Sequence, residues 1–125
     1  MRKFARVLFW ICVSLCGALG VVHTLFTFYV YSQLTPRALY FAGTGLAAIV
    51  LALFNIAIWH GPAPSRFSRQ LAHFANALMA GFGFLGPIAV PEPQAYIGTV
   101  AISGIFFAGL LLDRATAADA RREHG

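Results

Sequence analysis

Acidic side chains are almost absent from this sequence. Only four of its 125 residues are Asp or Glu, and residues of either charge make up 10%, where a soluble domain carries about 25%. Lysine occurs once, at Lys3. The two cysteines, Cys12 and Cys16, lie four positions apart in one apolar stretch, so the chain lacks the disulfide framework of small secreted domains. The scarcity of charge is also positional. Positions 7–36, 38–65, 70–91 and 93–112 hold no Asp, Glu, Lys or Arg. This excludes chemistries that place a carboxylate within the hydrocarbon, whether for proton coupling, for a carboxylate pair or for a metal. No P-loop, no H-E-x-x-H helix and no nucleic-acid module is present. The spelling Gly81-Phe82-Gly83-Phe84-Leu85-Gly86 matches a dinucleotide fingerprint, but it falls inside an apolar run rather than between a strand and a helix, where that loop works.

The sequence is rich in apolar side chains: 59% of its residues are hydrophobic and 14% are aromatic. A hydrocarbon layer about 30 Å thick needs about 20 apolar residues at 1.5 Å rise each, and every uncharged run reaches that length. The sequence therefore predicts an all-α, polytopic transmembrane four-helix bundle of up-down-up-down topology, one domain over 1–125. The expected spans are about 7–31, 38–59, 67–88 and 95–112, followed by a polar cytoplasmic tail, 113–125. The first run is too long for the hydrophobic region of a signal peptide and reads as an uncleaved span. Pro36 is placed to open the second helix, Ser65 to cap the third, and Pro87 to kink its far end.

Basic residues give the orientation. Arg2, Lys3 and Arg6, then Arg66 and Arg69, then Arg114, Arg121 and Arg122 fall on one side, and only Arg37 on the other. The positive-inside rule places both termini and the middle loop in the cytoplasm. Trp10 and Trp59 at the inner boundary agree with this, as do Tyr29, Tyr31, Tyr40 and Tyr96 at the outer one. The net charge of +5 is thereby a signature of topology, and no nucleic-acid partner is implied. Arg in place of Lys and an Ala/Gly-rich composition point to a bacterial inner (plasma) membrane. Small residues at helical spacing, Gly17 and Gly20, Gly43 with Ala47, Ala48 with Ala52, and Gly104 with Ala108, are expected to let helices of the bundle approach closely. Cys12 and Cys16 share a face and are expected to pack there.

Polar residues inside the spans are the candidates for function. His23 lies in the outer half, with Thr27 one turn away, and Thr44 and Ser103 at similar depth. They read either as an interhelical tie on a neutral histidine or as a proton or ligand path. In the inner half Asn55 and His60 lie on the second span, and His73 and Asn76 on the third. The asparagines are expected to meet as an amide pair; the two histidines are either structural or the walls of a pocket for a metal, a haem or an anionic headgroup, with Arg66 and Arg69 beside them. Glu92 falls in an outer turn and Asp113 at the inner end of the fourth span, where each can be solvated. No catalytic residue, cofactor or metal is assigned. The favoured function is a non-catalytic accessory or structural subunit contacting lipid or a larger membrane partner. The alternative is a small homo-oligomeric channel or transporter around His23, and a third reading is a haem- or metal-binding protein using His60 and His73.

Overall fold

The computed structural model describes residues 2–60 and 64–123, with side chains described through residue 118. Five helices follow in order: α1 (Arg2–Val30), α2 (Pro36–His60), α3 (Arg66–Gly83), α4 (Leu85–Ala89) and α5 (Pro93–Glu123). No strand occurs among the described residues. Four stretches are long and apolar enough to cross a membrane: Arg2–Val30, Pro36–His60, Arg66–Ala89 and Pro93–Ala118.

Local chemistry sets the helix ends. The Ala38 backbone N–H donates to Thr35 Oγ1 at 3.1 Å, while Pro36 occupies the first helical position, where a missing N–H costs nothing. Ser65 caps α3 by accepting from the Ser68 N–H at 3.0 Å. The α3–α4 break follows from Pro87. With no N–H, Pro87 cannot bond the carbonyl of residue 83, and Thr99 Oγ1 of α5 donates to that Gly83 oxygen at 2.7 Å instead. A lost backbone bond is thus replaced by an interhelical one.

Helix α1 packs on both α2 and α5, α3 packs on α5, and α2 and α3 touch sparsely. The core joins Phe9, Cys12, Val13 and Cys16 of α1 to Leu51 and Ala52 of α2 and Ala101, Ile105 and Ala108 of α5. On α1 and α5 the three- and four-residue spacings mark one stripe per helix. The closest approach is glycine on glycine. A Cβ on Gly20 would stand 2.7 Å from the Gly45 carbonyl oxygen, and one on Gly45 would stand 2.8 Å from that of Gly20. Gly104 likewise leaves space for the Cys12 Sγ, and both cysteines are free and buried.

Helix α5 continues without interruption from the fourth apolar stretch to Glu123, supported by the helix-favouring Ala115, Ala117, Ala118 and Ala120. One expectation is corrected. Gly43 and Ala47 do not pack within the bundle. Both are exposed, and nothing lies within 4 Å of a Cβ built on Gly43. At about 3.6 residues per turn, turning Gly45 toward α1 turns Gly43, Thr44 and Ala47 away from it.

Candidate functional site

Asn55 and Asn76 are fully buried and meet side by side. Each Nδ2 donates to the other's Oδ1 at 2.8 Å, and Asn55 Nδ2 also donates to the Leu51 carbonyl at 2.9 Å. The reciprocal amide pair uses both groups of each side chain, which resolves the cost of burying them in hydrocarbon. It also joins α2 to α3 where the two helices otherwise touch little.

One helical turn from Asn76, His73 looks toward α5. Its Nε2 lies 3.3 Å from Asp113 Oδ2, while Arg69 Nε lies 2.9 Å from Asp113 Oδ1. Arg69 and His73 are four positions apart on α3 and therefore share a face; between them they engage both carboxylate oxygens. Arg69 also reaches the Pro64 carbonyl. Asp113, still partly exposed, is the acceptor of an α3–α5 clasp. The signal for it was present: two basic residues at four-residue spacing opposite a lone acid at the same end of the bundle.

Trp59 packs against His73 with ring centroids 5.8 Å apart, and both rings cover Gly109. Trp59 Nε1 and His73 Nδ1 are buried without a hydrogen-bond partner among the described residues. His60 has a different neighbour, standing edge-to-face with Trp10 of α1 at 5.6 Å. The two histidines thus address different helices. Among the described residues no three His, Cys, Asp or Glu side chains are grouped to hold a metal ion.

The cluster expected around His23 does not come together within one chain. His23 stacks on Phe41 of α2, with centroids 3.7 Å apart and planes 21° apart. Thr27 Oγ1 donates to the His23 carbonyl, not to its ring. Thr44 is exposed and donates to the Tyr40 carbonyl on its own helix, since the Gly20–Gly45 contact fixes the rotation of α2. Ser103 Oγ is buried with no partner among the described residues. The interhelical tie at His23 is therefore a ring stack, where hydrogen bonding to Thr44 or Ser103 was expected.

Two concavities complete the description. One of about 280 Å³ lies between α2 and α3, walled by Tyr40, Gly43, Thr44, Ala47, Met79 and Phe82. The other, of about 450 Å³, lies where α1 and α2 meet the α4–α5 connection, with His23, Phe41 and Glu92 in its wall. Comparison with known protein families, curated proteins and solved structures found no match.

Proposed function

We propose that this chain is a non-catalytic accessory subunit of the bacterial inner membrane, arranged up-down-up-down with both termini in the cytoplasm, and that it docks against a larger membrane protein. The observation that carries the reading is the open groove between α2 and α3. There Gly43 and Ala47 present backbone and small side chains, the feature that lets another transmembrane helix approach closely. The placement of the polar residues supports it as well. Asn55, Asn76, His73, Arg69 and Asp113 are engaged with one another as ties between helices rather than lining a conduit.

Native mass spectrometry of the protein extracted at natural abundance in mild detergent tests this. A complex with a second, larger polypeptide is expected. A bare monomer would contradict the reading. A discrete homo-oligomer would favour the rival, a channel or transporter completed between copies around the His23 cavity.

A further inference from the structure

The cavity at His23 combines two features that the subunit reading leaves unused. Its wall holds three rings: His23 of α1 stacks on Phe41 of α2 at 3.7 Å, and Tyr31, just past the end of α1, has its ring centroid 5.9 Å from that of Phe41. Phe26 extends the apolar lining, and Glu92 and Gln94 supply its polar edge. Gln94 Nε2 donates to Glu92 Oε2. Glu92 is also the only acidic residue before position 113, so no second carboxylate competes at this end of the bundle.

A carboxylate beside stacked aromatic faces, above an apolar hollow of about 450 Å³, is matched by one class of ligand. A cation is drawn to both the carboxylate and the ring faces. An attached hydrocarbon body fills the rest, and the volume falls in the range of small-molecule sites, about 300–1,000 Å³. An anion would meet Glu92 at close range, and a neutral hydrocarbon would leave the carboxylate unused. We propose that this cavity binds an organic ammonium group carrying an apolar body, the chemistry shared by free lipophilic amines and by the amine headgroup of a phospholipid. The proposal is independent of the subunit reading, because the cavity shares no lining residue with the α2–α3 groove.

The test uses the full chain in dodecyl maltoside micelles, which offer no amine and no charge. Decylammonium is titrated against decanol, which has the same chain and no positive charge, and binding is read by calorimetry. Wild-type protein is expected to bind decylammonium at least about tenfold more tightly than decanol, the discrimination expected of a charge-assisted, aromatic-lined site. Glu92→Gln, at an exposed position outside the core, is expected to abolish that preference while leaving decanol binding and the circular dichroism spectrum unchanged. Phe41→Leu, which keeps apolar volume, is expected to weaken decylammonium about threefold. Equal binding of the two probes by the wild type, or an unchanged preference in Glu92→Gln, would overturn the proposal. Phosphatidylethanolamine added as competitor distinguishes the sources: displacement of decylammonium assigns the site to a lipid headgroup, and persistence assigns it to a free amine, both upholding the ammonium site.

Discussion

Replacing the asparagine pair by leucine one side at a time gives an unequal and therefore informative result. In Asn55→Leu, Asn76 loses its only side-chain partner among the described residues, so its buried amide is left with both its donor and its acceptor unpaired. In Asn76→Leu, Asn55 Nδ2 retains the Leu51 carbonyl, and only Oδ1 is orphaned. An unsatisfied buried polar group costs about 1–3 kcal/mol, tempered in membranes because the unfolded chain also finds partners. The expected destabilisation is about 2–4 kcal/mol for Asn55→Leu and about 1–2 kcal/mol for Asn76→Leu. The double variant leaves no orphaned side chain and replaces the amides with apolar groups of similar volume, so its cost is expected to be at most about 1 kcal/mol. Unfolding by sodium dodecyl sulfate in mixed micelles, followed by circular dichroism, measures all three. A double variant as costly as the two singles combined would refute the reasoning, because it would show independent contributions where the structure has one reciprocal pair.

The asparagine pair was legible in the sequence because the two strongly polar amides lie on consecutive apolar helices joined by a short connection, and apolar surroundings leave each little choice of partner. Helix number and approximate span limits were legible from the uncharged runs for the same reason. What could not be read was rotation about each helix axis. Small residues recur so often along α2, at Ala38, Ala42, Gly43, Gly45, Ala47, Ala48 and Ala52, that composition does not say which stripe faces α1. The Gly20–Gly45 contact decides it, and with it the outward turn of Thr44, the exposure of Gly43 and the stacking of His23 on Phe41. The pairing of Asp113 was not read for another reason: an isolated acid near a helix end gives no sign of its partners until the face shared by Arg69 and His73 is set against it.

Three further outcomes are expected. Gly45→Ala should destabilise the bundle by about 1–3 kcal/mol, the range for overpacking, whereas Gly43→Ala, with open space around it, should be neutral or stabilising by up to about 1 kcal/mol through helix propensity; the same detergent titration ranks them. Thr99→Val leaves the Gly83 carbonyl without its α5 donor and should cost about 1 kcal/mol, with faster hydrogen exchange confined to the α3–α4 junction. Asp113→Asn should cost about 0–1 kcal/mol, since the Arg69 and Asp113 side chains are 30% and 35% exposed and partly screened, and the difference from wild type should shrink at high salt.

The central claim, that the α2–α3 groove receives a partner, is tested most directly by a photoreactive amino acid placed in living cells at Thr44, with Val100 on the exposed face of α5 as the control. Irradiation is expected to give one discrete protein adduct from position 44 and only lipid adducts from position 100. Lipid adducts alone at both positions would contradict the account.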